Sequence, residues 1–446
     1  MKVKEYIFLF LLALFLLPLA AGGSMHGTTL VNPPWSHCLG LHRVTQFHLD
    51  IYSGYRDKFD DPKGLFCTKL KSKDDPKKES DDDELTVYGL NSGKSEIIYN
   101  KSLTSIGIVG GLGRGLKQFD HPVSLTGDSD GNLFVADTGN DRIVHLRYGD
   151  DELIGVKEIV LGKKKGFEHP TGISLSGGKL YVADRDNNRL VVLTEEGEFL
   201  REIIPSHGTD RLYKPYTVAA ISEGDGWCYY RDYYIAVVDS LGQRLWKLTL
   251  EGEPVRVVHY SSVYHGGAFG HVAIDYYGNV YVTDRENGAI HKFDRFLNYV
   301  VSIRGSDLDQ PRGITIYRRF GQIFVSERSG AQYFWVGTDV TRFEADSLRY
   351  YPDKEKGSID VSFLLTEHSD ISIELVSDDS KIRIPVLVDY VLPLGHVHKR
   401  IYFNIPHNTD FANCKYVVKL KAVPTYSSRA YHSSERLSRK LNPTTM

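Results

Sequence analysis

Residues 167–173 read Phe-Glu-His-Pro-Thr-Gly-Ile, and residues 180–190 read Leu-Tyr-Val-Ala-Asp-Arg-Asp-Asn-Asn-Arg-Leu. In the first stretch a proline precedes apolar residues, which predicts a turn that leads into a short strand. In the second stretch an apolar strand ends at Asp184, a polar turn follows, and the next strand begins at Arg189. Asn and Asp favour such turns because they tolerate left-handed backbone angles and bond their own backbone. The two stretches together predict an antiparallel hairpin preceded by an inner strand.

The same two stretches recur along the chain. Five further copies pair a leading turn with an apolar strand, at residues 59–64 with 87–94, 119–122 with 135–142, 212–215 with 237–244, 270–272 with 282–284, and 308–311 with 325–327. Repeats of short strands spaced by about 40 to 60 residues are typical of propellers and solenoids. With the copy at residues 167–190 there are six, so the sequence predicts an all-β chain with a six-bladed β-propeller.

Three copies share an Asp and an Arg five positions apart, one on each side of the hairpin turn. The pairs are Asp137 with Arg142, Asp184 with Arg189, and Asp239 with Arg244. An ion pair at this spacing would tie the two strands of the hairpin together, because opposed residues of antiparallel strands lie side by side. We interpret these residues as architectural and not as catalytic.

The Asp-x-x-Asn-x-Arg-Ile/Leu hairpin after a Tyr/Phe-Val-Ala strand resembles the NHL repeat, whose families form six-bladed β-propellers. The resemblance covers residues 59–340 and is strongest in the second and third copies. It supports the fold prediction. It implies little about function, because NHL propellers include both binding platforms and enzymes.

The segment before the first copy is predicted to close the propeller. Apolar and polar residues alternate over residues 45–52, which is typical of a half-buried strand. The last copy lacks an outer strand after residues 333–335. We therefore predict that residues 45–52 supply that strand, so that the propeller spans residues 44–342 and exposes no open sheet edge.

The amino end indicates an exported protein. Lys2 and Lys4 precede an apolar run at residues 7–17, and small residues follow. This pattern is typical of a secretory signal peptide, here residues 1–23, and the apolar run is short for a membrane span. An uncleaved anchor is the alternative. We expect a protein that is secreted, extracellular or in the periplasm or cell envelope, with no integral membrane segment after cleavage.

The carboxyl-terminal part has a different pattern. Strand-like alternation over residues 346–426, for example at residues 371–376, predicts a small β-sandwich. The stretches at residues 363–366, 371–375, 394–396 and 416–420 make it similar to the immunoglobulin-like domain of flagellar hook-capping proteins. Residues 427–446 are polar and basic, and we predict a disordered tail there.

Three features have two interpretations each. The cysteines, which are Cys38, Cys67, Cys228 and Cys414, could form disulfides or remain buried thiols. The aromatic residues inserted at 222–232, Trp227 among them, could contact a partner or cap the apolar end of a blade. The charged run at residues 71–84 could offer carboxylates to calcium, but its spacing favours a mobile hairpin loop.

Propeller sites lie at one end of the central channel, where the innermost strands begin. The candidate ligand-binding residues at this mouth are Lys63, His121, His169, Thr171, Tyr216, His271 and Arg312. Positive and aromatic side chains at a funnel suit an anionic or polar ligand. The alternative is that Lys63 and Arg312 only keep the rim soluble.

A zinc site is the catalytic hypothesis. The chain resembles peptide amidating lyases in fold, and their zinc is held by histidines just after the proline in three blades. Here His121 and His169 precede the proline and His271 replaces it, and a one-residue shift on a strand turns a side chain to the other face. Histidine at this place also occurs as a turn residue that bonds the neighbouring blade. The carboxylates of Asp60, Asp61 and Asp309 could bind calcium in a lactonase-like propeller.

The sequence thus favours a non-catalytic, monomeric binding or scaffold module for a protein, peptide or glycan. The formal net charge of −3 gives no basic face, so nucleic acid is not an expected partner. The alternative is a metal-assisted lyase or hydrolase with zinc or calcium at the channel mouth. A third hypothesis is an inert spacer of an envelope assembly.

Overall fold

The computed structural model describes residues 29–31, 43–53, 58–73, 85–102, 105–162, 166–305, 308–427 and 432–446. The predicted signal peptide, Cys38 and most of the charged run lie outside these residues. In the part of the chain that is described, no helix has the length and apolar character that a bilayer span needs.

Short antiparallel strands make up the first structural unit. In chain order they are β1 (Leu30–Val31), β2 (Arg43–Thr45), β3 (Pro62–Lys69), β4 (Leu85–Asn91), β5 (Glu96–Ser102), β6 (Ser105–Gly110), β7 (Ser124–Gly127), β8 (Asn132–Asp137), β9 (Arg142–Gly149), β10 (Glu152–Ile159), β11 (Pro170–Ser176), β12 (Lys179–Asp184), β13 (Arg189–Thr194), β14 (Phe199–Ile203), β15 (Ser206–His207), β16 (Asp210–Arg211), β17 (Thr217–Ile221), β18 (Tyr234–Asp239), β19 (Arg244–Leu248), β20 (Pro254–His259), β21 (Val272–Ile274), β22 (Val280–Asp284), β23 (Ala289–Phe293), β24 (Tyr299–Arg304), β25 (Ile314–Tyr317), β26 (Gln322–Glu327) and β27 (Gly330–Val336). Single 3₁₀ turns lie at Ser92–Lys94, Thr138–Asn140, Ser240–Gly242 and Tyr260–Ser262.

These strands form a β-propeller. The described residues contain six blade sheets, with strand orders β3-β4-β5-β6, β10-β9-β8-β7, β11-β12-β13-β14, β17-β18-β19-β20, β21-β22-β23-β24 and β25-β26-β27. The first strand of each sheet in chain order is the innermost, and the innermost strands β3, β7, β11, β17, β21 and β25 contact one another in a ring. Their inner edges surround a central channel.

Apolar side chains fill the space between neighbouring blades. In one such layer Phe134 and Ile143 of the second blade pack with Leu180, Val182 and Val191 of the third. All five are buried, because each sheet has a neighbouring sheet on both faces. This explains why the middle strands read as nearly continuous apolar runs in the sequence.

The Asp–Arg pairs are architectural, as predicted. Asp184 lies opposite Arg189, whose Nε donates to its Oδ2 at 2.7 Å. Asp184 Oδ1 also accepts the backbone N–H of Glu168 in the leading turn, at 2.8 Å. Asp137 and Asp239 each make the same two kinds of bond in the second and fourth blades. Each buried carboxylate therefore ties a hairpin to the turn that precedes the inner strand.

The amino-terminal segment closes the propeller, but not with the predicted strand. β1 pairs with β27 through Leu30 and Val336, and β2 pairs with the other end of β27 through Thr45 and Gly330. The prediction of a strand over residues 45–52 was wrong, because Gln46–Ser53 form a helix, α1. Short apolar runs fit a strand and a helix equally well.

A β-sandwich follows the propeller. Its strands are β28 (Val340–Tyr351), β29 (Lys356–Leu365), β30 (Ser369–Ser377), β31 (Arg383–Leu392), β32 (Gly395–Asn404), β33 (Tyr416–Pro424), β34 (Ser434–Leu441) and β35 (Thr444–Thr445), with a 3₁₀ turn at Pro352–Lys354. They form two sheets, ordered β32-β29-β28-β35 and β31-β30-β33-β34. Ile359, Ile373, Phe403 and Val418 are among the residues of the apolar core between them.

The prediction of a disordered tail at residues 427–446 was wrong for its described part, residues 432–446. β34 pairs along β33, with Ser434 opposite Ala422 and Leu441 opposite Tyr416. Six of its eight residues are polar and only its two end residues, Ser434 and Leu441, are buried, which is usual for an edge strand and conceals its role in the sequence.

A buried polar network joins the sandwich to the fifth blade. Lys292 Nζ lies 2.5 Å from Glu367 Oε2. Asn279 donates to the other oxygen of Glu367 at 3.4 Å. Tyr277 stacks on His368 with ring centroids 4.5 Å apart. The two units are therefore held together by specific contacts across a buried interface.

Candidate functional site

The central channel opens at two ends. At the narrow mouth the innermost strands begin, and a cavity of about 150 Å³ lies between the fourth, fifth, sixth and first blades. At the wide mouth the innermost strands end, and the channel broadens into a cavity of about 740 Å³. His271 lines both cavities, so its ring lies between the two mouths.

The narrow mouth brings together four of the seven predicted site residues, which are Lys63, Tyr216, His271 and Arg312. Asp61 also lines it, and its carboxylate pairs with Lys63 Nζ at 3.2 Å and with Arg312 Nη1. Tyr216 packs its ring edge-to-face on His271, with centroids 5.5 Å apart. The mouth is thus a compact set of charged and aromatic groups.

Two buried nitrogens at the narrow mouth have no hydrogen-bond partner among the described residues: His271 Nε2 and Arg312 Nε. His271 is only 6% exposed. Burial and the nearby Lys63 lower the pKa of His271 to about 3, so its ring is neutral at physiological pH. Burial raises the pKa of Tyr216 to about 12, so its hydroxyl stays protonated.

The other three predicted residues, His121, His169 and Thr171, do not line this cavity. His121 and His169 are exposed and bond to Asp120 at 2.6 Å and Asp186 at 2.8 Å. Both have positive φ, 47° and 49°, in the leading turns of their blades. The buried Thr171 donates its hydroxyl to the carbonyl of Pro215 in the next blade at 3.1 Å.

The histidine turns join neighbouring blades, which was the alternative interpretation. The backbone N–H of His121 donates to Ser95 Oγ, and that of His169 donates to Asp141 Oδ1. The three histidines do not meet. The described ranges contain no group of three His, Cys, Asp or Glu side chains placed to hold a metal ion.

Sequence reasoning missed the wide mouth. Trp227, Arg318 and Arg319 line one side of it, and Asp128, Asp130 and Glu195 line another. Trp227 is 51% exposed, and the guanidinium of Arg319 lies 4.9 Å from the centroid of its ring. Burial and then the charge of Asp128 raise the pKa of Glu195. Charged groups of both signs thus line the cavity, where Arg318 pairs with Asp225 at 3.6 Å and Asp130 pairs with Lys71 at 2.8 Å.

The inserted segment at residues 222–232 was the one sequence signal for this mouth. Trp227 fits the contact interpretation because half of it faces solvent. Tyr230 fits the capping interpretation because its ring packs against Tyr277, whereas Tyr229 packs against Tyr277 and is also 51% exposed, so it fits both interpretations. Among the described cysteines, Cys67, Cys228 and Cys414 are free thiols, and Cys67 is buried in the channel wall.

The blade topology and the repeated turns define the class of protein, a β-propeller with an added β-sandwich. The NHL repeat family matches residues 167–193, the third blade. No curated protein matches the chain in sequence.

Several solved propellers are similar in structure. Virginiamycin B lyase from Staphylococcus aureus is 16% identical over 56% of this chain and 76% of its own, with a TM-score of 0.41. A streptogramin B lyase is 12% identical over 63% and 95%, with a TM-score of 0.43. The propeller domain of Cps50 (Swd1) from Myceliophteria thermophila is 10% identical over 56% and 80%, with a TM-score of 0.40.

Proposed function

We propose that the protein is an exported, monomeric binding or scaffold module, and that its wide mouth receives a polar peptide or glycan segment of a partner. The observation that carries this proposal is the cavity of about 740 Å³ lined by all six innermost strands. Cavities of about 300–1,000 Å³ are typical of ligand sites. The amino-terminal sequence pattern supports export.

The lining of the wide mouth suits a polar ligand. Hydroxyl-bearing residues from four blades, Ser124, Ser174, Thr217 and Thr315 among them, line the cavity. Trp227 adds a large rigid surface at the rim, and aromatic side chains with polar surroundings are common anchors in binding sites. A ligand that crosses the cavity also meets charged side chains of both signs, Arg318 and Asp128 among them.

The metal-assisted alternative has less support. The chemistry it needs is a set of ligands that converge on one ion, and in the described part of the chain no such set of three is present. Exposed His121 and His169 are engaged with carboxylates at the rim. We therefore place binding ahead of catalysis.

The sandwich would serve as a second presenting surface or as a spacer. Its sequence is similar to the immunoglobulin-like domain of hook-capping proteins, and the buried pair of Lys292 and Glu367 fixes it beside the fifth blade. A partner held at the wide mouth would then lie in a defined orientation to the sandwich, because Tyr426 of the sandwich also bonds the carbonyl of Arg318 at that mouth.

The test is a binding screen with matched variants. Purified protein is applied to panels of immobilised oligosaccharides and peptides, and each ligand bound is measured again with Trp227→Ala and Arg318→Glu. We expect at least about a tenfold loss of affinity for both, since central aromatic and Arg side chains dominate binding energies. Phe199→Ala, an exposed aromatic on the outer strand β14, is the control. Unchanged binding by both variants would remove the wide mouth from the proposal.

A further inference from the structure

We propose that the narrow mouth is a second, separate site that binds a carboxylate or a similar small oxyanion between Arg312, Lys63 and His271. This site lies at the opposite end of the channel from the mouth proposed for the partner. The two proposals are independent, because His271 is the one residue among those described that lines both cavities.

Two buried nitrogens at the narrow mouth have no hydrogen-bond partner in the part of the chain that is described. Arg312 Nε and His271 Nε2 are buried and have no partner among the described residues. Buried polar groups in native proteins almost always have a hydrogen-bond partner, and an exception calls for a ligand, an ion or a water. An arginine Nε always carries a proton, so the missing partner of Arg312 is an acceptor.

Positive side chains outnumber negative ones at the narrow mouth. Lys63, Arg285 and Arg312 line the cavity with Asp61 and Glu286, three cations against two carboxylates. Asp61 engages Arg312 through Nη1, and the Nε of the same guanidinium is buried without a partner among the described residues. Arg binds carboxylates and phosphates well because its planar N–H groups match their oxygens.

His271 can act as a hydrogen-bond donor at the narrow mouth. Its ring is neutral, so one nitrogen carries a proton and the other accepts. With the proton on Nε2, that nitrogen is a donor, as the Nε–H of Arg312 is. Tyr216 packs its protonated side chain edge-to-face on the same ring. Two residues that line one small cavity thus each offer an unused N–H, which suits an anionic oxygen.

The size of the cavity limits the ligand. About 150 Å³ holds a carboxylate or phosphate group with a little water, and not a whole peptide or sugar. The oxyanion is therefore either a free small anion or the anionic end of a larger molecule that projects from the mouth. Both sources share the same chemistry at Arg312, and the experiment separates them.

The experiment is calorimetric titration of the full chain with inorganic phosphate, with acetate, and with an acetylated tripeptide whose carboxyl end is either free or amidated. We expect the anions and the free-acid peptide to bind and the amide not to bind. Arg312→Met and His271→Phe should each weaken binding at least about tenfold, the usual scale for one charge-assisted bond. Arg328→Met is the control, because Arg328 also pairs with a carboxylate, Asp309, and does not line the cavity.

The relative affinities show whether the site binds an anionic chain end, a free anion or neither. Binding of the free-acid peptide that is tighter than that of acetate supports an anionic chain end, and equal binding supports a free anion. Absence of binding by every anion overturns the proposal, and so does equal binding of the acid and the amide. His271→Phe removes an N–H without changing charge, so it tests the site even where Arg312→Met fails to fold. Failure here leaves the wide-mouth proposal standing, since Trp227 and Arg318 are tested with different ligands.

Discussion

Lys292 of the propeller and Glu367 of the sandwich form an ion pair that is fully buried, with 2.5 Å between Nζ and Oε2. Neither side chain is reached by solvent. Desolvating two charges is unfavourable, and the pair persists only because Tyr281, Asn279 and the backbone of His368 bond the same carboxylate. This cluster is one of the specific links between the two units.

Breaking the Lys292–Glu367 pair on one side should destabilise the protein strongly. Lys292→Met leaves the charge of Glu367 buried and unpaired, and we expect a loss of about 3–5 kcal/mol in the free energy of unfolding. The double variant Lys292→Met with Glu367→Leu should recover most of this loss, because no isolated charge remains. Urea unfolding measures both variants. Lys381→Met, which breaks an exposed pair with Asp379, is the control and should change stability by less than about 1 kcal/mol.

A pH dependence follows from Asp275 in the same cluster. Burial and the nearby Glu367 raise the pKa of Asp275 to about 7, from its usual 3.8. The folded protein therefore binds a proton that the unfolded chain has lost, and stability falls as the pH rises from about 4 to about 7. Above that range the loss is constant.

Asp275→Asn tests this dependence because the amide does not titrate. The Oδ1 of Asp275 accepts two backbone N–H groups, an arrangement that an amide oxygen keeps. Between pH 4.5 and 7.5 the wild type should lose stability relative to the variant, by up to about 4 kcal/mol for a shift of this size. Parallel curves of unfolding free energy against pH for the two proteins would show that Asp275 does not titrate in this range.

The blades could be predicted from the sequence because each is encoded locally. Asp184 and Arg189 are five positions apart, and their turn and their pairing are set by neighbours in the chain. Residues 45–52 could not be assigned in the same way. Their short run of apolar side chains fits a strand and a helix alike, and the helix that they form contacts β2 and β6, a relationship that the local pattern does not contain.

The sites depend on relationships that no local pattern contains. The first and last blades meet where the ring closes, and this brings Lys63 and Arg312 together. The predicted blade order was therefore enough to place both residues at one mouth. The orientation of His121 and His169 depends on left-handed turns that the sequence does not reveal. The wide mouth is assembled from turns of separate blades, and only Trp227 marked it.

The Asp184–Arg189 pair offers a test of blade architecture. Asp184→Ala removes one partner of Arg189, which keeps Glu202, and also removes partners of Asn187 and of the backbone of Glu168. Because these donors are then left without the buried carboxylate, we expect a loss of at least about 2 kcal/mol in unfolding free energy. Lys440→Ala, which removes an exposed partner of Asp378, should change it by less than about 1 kcal/mol. A small effect of Asp184→Ala in thermal and urea unfolding would show that Asp184 does not hold the hairpin to the leading turn.

The last strand of the sandwich can be tested with two leucines on opposite faces of β34. Leu441 is 8% exposed and belongs to the apolar core, whereas Leu437 is 67% exposed. Leu441→Ala removes buried apolar surface, so it should lower the unfolding free energy by about 2 kcal/mol or more, at the low end for buried leucines because the strand is at an edge. Leu437→Ala should change it by less than about 0.5 kcal/mol. Both substitutions remove a leucine from the same strand. Equal changes in unfolding free energy would therefore mean that β34 does not pack on the core. A difference in the expected direction would show that the polar carboxyl-terminal segment folds as part of the sandwich.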